Sequence, residues 1–493
     1  MTDKITTKLL TGTLPPGVSS PSYDRNSVKS SIVHIGAGGF HRSHQQRYMD
    51  RLLAETGDLS WGICASGIRE EDRALKEALN SQDCLYTLVE RDDEHAEAHI
   101  IGSMTDYVLG HDDVDAFTQK LAARETRIIS LTVTGAGYYI DQRTSGLNLE
   151  HPDVRHDLAN PSTPKTIFGY LSRAMKCRMV NNVPPCTVMS CDNFQGNGSI
   201  IRHTLLTFCD EVDPGLSKWI DDNVAFPNSM VDRITPLPTE ETSAFVRERF
   251  GLEDQCPVMC EPYIQWVIED KFSSERPALE EVGVQFTADV APYEKIKLRV
   301  LNASHSLIAY LGYLAGHRYI FEIVRDPLFA EYLTHFLNEE VTPHLDPVPG
   351  VDLADYKRTV VRRFGNPAIK DEALRICMNG SYKFPKFIFP TVRDRLKTGG
   401  AIKTAALSVA GWMRFLGRAT ENGSNIPVHD PIAGTLIQKA KEGGDDAEVL
   451  LSLREVFGDL SDHDRFRKEV CFYLKQLYAD GAASTIRTCL QIP

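Results

Sequence analysis

Lys297, Asn302 and His305 stand in EKIKLRVLNASHSLIAYLGY, a stretch otherwise dominated by apolar residues. On a regular helix at about 100° per residue, Asn302 lies about 140° round from Lys297 and His305 about 80°, so all three share one broad face. Polar groups on such a face are partly buried and must find partners. A lysine whose pKa is lowered by desolvation suits a general base. An amide and an imidazole suit the holding of a reacting oxygen. Those are the parts of an alcohol oxidation that uses no metal. The competing reading is a structural set of satisfied polar groups, and Lys295 competes with Lys297 as the basic group.

A second chemical signal is Ile35-Gly36-Ala37-Gly38-Gly39-Phe40-His41-Arg42, which follows a strand-like run and precedes a helix-like one. Gly36 permits a tight turn, Gly38 lets backbone approach a pyrophosphate, and the helix start offers free N–H groups. His41 stands where the usual third glycine would be. The next strand, WGICASGI, runs into Arg69, Glu70, Glu71 and Asp72. An acid there favours NAD over NADP by repelling the extra phosphate, although Arg69 and Arg73 weaken that inference. A solvated first turn of a helix is the competing reading.

Three further groups are weaker. Asn193 ends the strand-like TVMSCDN, Asp232 lies in FPNSMVDR, and Arg375 and Lys383 lie in RICMNGSYKFPKF. The eleven cysteines are an odd number and thinly spread. Cys186 and Cys191, and Cys256 and Cys260, lack the second pair a structural zinc site needs, so buried free thiols are expected.

These groups need a scaffold. SSIVHIG, WGICASGI, CLYTLVE, HIIGS, RIISLTVTG and CTVMSCDN read as strands. They alternate with helical stretches at 69–80, around 115–123 and at 164–180, and Tyr48, Leu52 and Leu53 recur at helical spacing. Such alternation predicts an α/β, mostly parallel, doubly wound Rossmann-like sheet. Beyond Val282–Pro292 helical patterns dominate. The expected division is 1–286, with 1–30 an irregular lead-in, and 287–493, mainly α-helical. With 493 residues, 42% hydrophobic and 25% charged, the chain reads as an ordinary soluble protein of several domains. A formal charge of -13 disfavours nucleic acid and anionic membrane surfaces as partners. The opening MTDKITTKLL lacks the features of a secretory signal. No run approaches the roughly 18 apolar residues of a membrane span, and a cytoplasmic protein is expected.

Taken together, IVHIGAGGFHRSHQ, TVMSCDN, FPNSMVDRITP, EPYIQWVIEDKF, VGVQF, KLRVLNASHS and YKFPKF run in one order across residues 30 to 480. In this the chain resembles the polyol-specific long-chain dehydrogenases. The resemblance implies a Rossmann-like domain, a helical domain, an active site in the cleft between them, and a monomer. It implies metal-independent, NAD-dependent oxidation of D-mannitol to D-fructose, and the reverse, with small polyols and ketoses as partners. D-arabinitol dehydrogenase and fructuronate (mannonate) reductase share much of the signature. A dinucleotide-binding sensor without catalysis is the alternative from another class.

By the same resemblance, Lys297 is the general base, and Asn302 and Asn193 polarise the oxygen, while His305 orients hydroxyls. Asp232, Arg375 and Lys383 bind the polyol, Glu71 and Asp72 face the adenosine ribose, and Glu294 takes part in a proton relay. One departure is Gly135 in SLTVTGAGY, where close relatives carry an acid.

Overall fold

The computed structural model describes residues 3–141 and 146–492; the first two residues of the lead-in and residue 493 lie outside the described residues. The chain divides into two compact units, Met1–Ala291 and Pro292–Pro493.

In the first unit, β1 (Ser30–Ile35), β2 (Gly62–Gly67), β3 (Met104–Leu109), β4 (Ile128–Leu131) and β5 (Thr187–Ser190) form one sheet. Their order is β3-β2-β1-β4-β5 and every pairing is parallel. This is the order of a Rossmann sheet, whose topological switch point lies between β1 and β4, where ligands gather at the carboxyl ends. Helices α1 (Gly39–Ser43), α2 (Gln45–Thr56), α3 (Arg73–Asn80), α4 (Val114–Ala122), α5 (Ile167–Val180) and α6 (Asn197–Val212) accompany the sheet.

Successive residues of the central strands serve opposite cores. Val33, Ile35, Ile129 and Leu131 pack with Phe117, Leu171 and Leu205 of the helices on one face. Ile32 and Ile128 pack with Tyr48, Met49 and Leu52 of α2 on the other. Burial on both faces is why these strands read as continuous apolar runs. RIISLTVTG continues as strand only to Leu131, because the chain beyond it turns into a loop. β3 has no counterpart among the strands expected from the sequence, since MTDYVL carries polar residues at its partly exposed positions.

Two mixed sheets and a two-stranded parallel pair accompany that sheet in the first unit. β6 (Ser229–Asp232) pairs antiparallel with β7 (Gln265–Glu269), which pairs parallel with β8 (Gln285–Thr287). Tyr86–Arg91 and Ala96–Ile101 form an antiparallel pair flanked by Val258–Cys260 and by Val18–Ser19. The lead-in is therefore not wholly irregular. Val18–Ser19 pairs with Ala98–His99, and Asp3–Lys4 with Leu252–Glu253. Two-residue strands are too short to leave a periodic signal.

The second unit is helical. α7 (Ala291–Lys297) leads through a wide turn, Leu298–Asn302, into α8 (Ala303–Leu314). Every residue of α8 from Ala303 to Gly312 is buried, so this helix is surrounded by others. Around it lie α9 (Leu353–Phe364), α10 (Ala373–Ile376), α11 (Gly380–Phe387), α12 (Lys403–Leu416) and α13 (Asp464–Leu490). DAEVLLSLREVF, expected as one helix, is two short ones broken at Ser452–Leu453. Among the described residues no helix is long and apolar enough to cross a membrane.

Candidate active site

The junction of α7 and α8 is not a regular helix, and this changes where the polar triad points. The N–H of Ala303 donates to the carbonyl of Leu298, five residues back. An α-helix would close on the fourth residue back. The extra residue lets Asn302 come round to the face of Lys297 instead of standing about 140° away. His305 lies three residues beyond Asn302 and so follows on that same face. Lys297 is 5% exposed, His305 9% and Glu294 3%. Lys295 is set apart from them: it is half-exposed and pairs with Asp346 at 3.2 Å.

His305 stacks flat on Phe364 of α9, with ring centroids 3.8 Å apart and planes 10° off parallel. Arg375 of α10 donates through Nε and Nη2 to a single oxygen, Oδ1, of buried Asp371, at 2.9 and 2.7 Å. The other oxygen, Oδ2, lies 4.0 Å from His305 Nε2. Lys383 of α11 donates its Nζ to the carbonyl of Ile376, the last residue of α10, at 2.7 Å. The second unit thus brings Lys297, Asn302, His305, Arg375 and Lys383 into one neighbourhood, with Asp371 and Phe364 added.

The electrostatics follow from burial and crowding. Burial, and then Arg375, Lys383, Arg363 and Lys297, hold the His305 imidazole well below its usual pKa, so the ring is neutral. Burial, and then Arg375, lower Lys383 to about 8. Among the described residues, Asn302 Oδ1, Ser304 Oγ, His305 Nε2 and Asp371 Oδ2 are all buried without a hydrogen-bond partner. Buried polar atoms are nearly always paired, so three such atoms on one helical turn with Asp371 beside them mark a place built for a polar ligand.

In the first unit the glycine turn joins β1 to α1. Gly36 has φ +97°, and a Cβ there would sit 2.1 Å from the carbonyl oxygen of Thr132. The Thr132 hydroxyl also donates to the Gly36 carbonyl at 2.6 Å. A Cβ at Gly38 would meet nothing within 4 Å, so that side of the turn is open. A backbone turn open at Gly38, at the carboxyl end of β1 and the switch point of the sheet, fits the pyrophosphate of a dinucleotide. His41, in the third glycine's place, stacks on His34 of β1 with centroids 3.4 Å apart. His34 in turn bonds Ser130 and Thr132, at 2.8 Å each.

The acids after β2 behave differently from one another. Asp72 turns back to accept the N–H groups of Ile68 and Arg69 on Oδ2, at 3.0 and 3.1 Å. Glu71 is exposed at the same strand end. Asn193 is exposed in the loop after β5, and Asp232 is buried at the end of β6. Buried Asn197 links these two places: its Nδ2 donates to the carbonyls of Asp192 and Ser229, at 3.0 and 2.8 Å. Asp192 accepts the N–H groups of Val133 and Thr134, both at 2.9 Å, and the Tyr138 hydroxyl. The loop containing Gly135 is therefore held by Asp192.

Asp371, Phe364, Asn197 and Thr132 did not stand out in the sequence, whereas Asp192 lies beside Asn193 in the TVMSCDN string. The one available signal was the Asp-x3-Arg spacing of Asp371 and Arg375 on a helical stretch. All eleven cysteines are free. Among the described residues no group of three or more His, Cys, Asp and Glu side chains could hold a metal ion.

The mannitol dehydrogenase Rossmann domain model matches residues 30–281, and the mannitol dehydrogenase C-terminal domain model matches 289–478. Mannitol 2-dehydrogenase of Phaeosphaeria nodorum is 44% identical over 95% of this chain and 83% of its own length. Mannitol dehydrogenase 2 of Saccharomyces cerevisiae is 43% identical over 98% of this chain and 96% of its own. Among solved structures, the Pseudomonas fluorescens mannitol 2-dehydrogenase ternary complex with NAD and D-mannitol matches with a TM-score of 0.93. It has 42% identity and both chains are fully covered. A substrate-free D-sorbitol dehydrogenase matches with a TM-score of 0.88 and 34% identity, covering 98% of this chain and all of that one.

Proposed function

The chain belongs to the mannitol dehydrogenase family, an oxidoreductase family, and from that premise we propose that it interconverts D-mannitol and D-fructose with NAD. The observation that carries the reading is the Lys297–Asn302–His305 set, with Lys297 and His305 buried and with Asn302 Oδ1 and His305 Nε2 lacking hydrogen-bond partners among the described residues. In the oxidative direction Lys297 Nζ takes the proton of the reacting hydroxyl. A bound nicotinamide would supply the hydride acceptor for the same carbon. Asn302 holds the oxygen as it becomes a carbonyl, and donors aimed at developing charge in a dry site lower the barrier most. His305, neutral and fixed by Phe364, orients a neighbouring hydroxyl. Arg375 and Lys383 bind the far hydroxyls.

Asn193 and Asp232 are further polyol-binding candidates, and Glu294 is the candidate for passing the Lys297 proton onward. The glycine turn, Gly36 to Arg42, holds the pyrophosphate, and exposed Glu71 faces the ribose more readily than Asp72, which is committed to its own turn. NAD is therefore favoured over NADP.

NADH formation from mannitol, arabinitol, sorbitol and mannonate, run with NAD and with NADP, tests the assignment. Mannitol with NAD should give the highest kcat/KM. Absence of turnover with every polyol, or a preference for mannonate, refutes it. Lys297→Ala should lower kcat by at least about a hundredfold while NADH still binds; surviving turnover would remove Lys297 as the base. Prior treatment with EDTA should leave the rate unchanged.

A further inference from the structure

We propose that Asp371 sets the preference of this site for an uncharged sugar over a sugar acid, by presenting Oδ2 beside His305 as the acceptor of a substrate hydroxyl. The inference rests on the polyol reading above and adds a specificity residue to it. Arg375, Lys383, Arg363 and Lys297 all bear on His305. Left to themselves, four cations around one buried imidazole would make a carboxylate site, the more so because a guanidinium grips a carboxylate with two parallel bonds. Asp371 alters that arrangement. Both Arg375 donors converge on Oδ1. The arginine fork is thereby engaged, while Oδ2 keeps its lone pairs.

Oδ2 and His305 Nε2 are each buried, each without a hydrogen-bond partner among the described residues, and 4.0 Å apart. That separation is too long for a bond between them. A hydroxyl is the group that satisfies both, because it donates and accepts at once. A carboxylate only accepts, so it would leave Oδ2 unpaired and set two negative charges side by side. Unpaired groups and like charges are how a site rejects a near relative of its substrate.

Reduction of D-fructose and of D-fructuronate by NADH, compared in wild type, Asp371→Asn and Asp371→Glu, reads the effect. Asp371→Asn should shift the kcat/KM ratio toward fructuronate by at least about tenfold, since one unit charge a few ångströms away acts across a partly desolvated gap. Asp371→Glu, which keeps the charge, should stay near the wild-type ratio. A purely structural Asp371 would lower both substrates in parallel, and that result in a variant with a native circular dichroism spectrum overturns the proposal. So does an equal gain on fructuronate in the Glu variant. Should Asp371→Asn fail to fold, competition in the wild type decides: fructuronate should inhibit fructose reduction at least about tenfold more weakly than fructose saturates it, and equal potency overturns the proposal. Wild type inactive on fructose would defeat the polyol reading itself; wild type active with an unmoved ratio would defeat only the role of Asp371.

Discussion

At the residue scale, two glycines of one turn should respond in opposite ways to the same methyl group. Gly36 carries φ +97°, and a Cβ there would press on the Thr132 carbonyl at 2.1 Å. Gly36→Ala should therefore cost at least about 2 kcal/mol of stability, because a left-handed residue is strained and the obstacle is backbone. Gly38→Ala meets open space at an ordinary φ of -69°. Its stability should stay within about 0.5 kcal/mol of wild type, while NADH binding weakens because the methyl occupies the face a pyrophosphate approaches. Thermal unfolding and NADH fluorescence titration separate the two. A stable Gly36→Ala, or a Gly38→Ala with unchanged affinity, would count against this account of the turn.

At the scale of elements, α12 depends on a carboxylate from outside itself. Glu340, fully buried, accepts the N–H of Thr404 at 2.7 Å and of Ala405 at 3.1 Å, so it caps the start of that helix. Burial outweighs these bonds and pushes its pKa up from 4.5 to about 7. The folded state therefore binds this proton more tightly than the unfolded one. The stabilising contribution is fully present below about pH 4.5 and is lost as pH rises through 7. Relative to Glu340→Gln, wild-type unfolding free energy should fall by about 3 kcal/mol across that window, at 1.36 kcal/mol per unit; urea melts of both proteins between pH 4.5 and 7.5 measure it. A difference that does not change with pH would refute the burial argument. Glu340 shows what sequence patterning leaves out. The strands β1, β2, β4 and β5 announced themselves as apolar runs because the sheet buries both their faces. Lys297, Asn302 and His305 stood out as polar residues in an apolar helix. The wide turn that aligns them left no mark, since it changes hydrogen-bond spacing without requiring Gly or Pro. Nor did Glu340 and Asn197, whose partners lie far along the chain or on the backbone, where residue type alone does not point, and the Asp371–Arg375 spacing gave no hint of His305 beside it.

At the scale of the whole molecule, the formal charge of -13 is a sum over the whole chain, whereas the chemistry sits beside a local cluster of cations, Lys297 and Arg363 buried and Arg375 exposed; the net figure describes neither the glycine turn nor the His305 neighbourhood. The cysteines are a better reporter of the molecule's integrity, because eight lie in the first unit and three in the second, counting Cys64 to Cys260 and Cys377 to Cys489. Only Cys177 and Cys471 are half-buried, and the remaining nine are buried. Burial pushes Cys256 and Cys260 each up to about 12 and Cys471 to about 11. The thiolate is the reactive species, so both access and ionisation protect these groups at neutral pH. Ellman's reagent should therefore label no more than two thiols per native chain on the minute scale, and all eleven in denaturant. Stability should be the same with and without a reductant, since no disulfide contributes to it. A rapid phase of three or more thiols in the native protein would mean that one of the units opens readily. The buried catalytic face proposed for Lys297 could not then be kept dry.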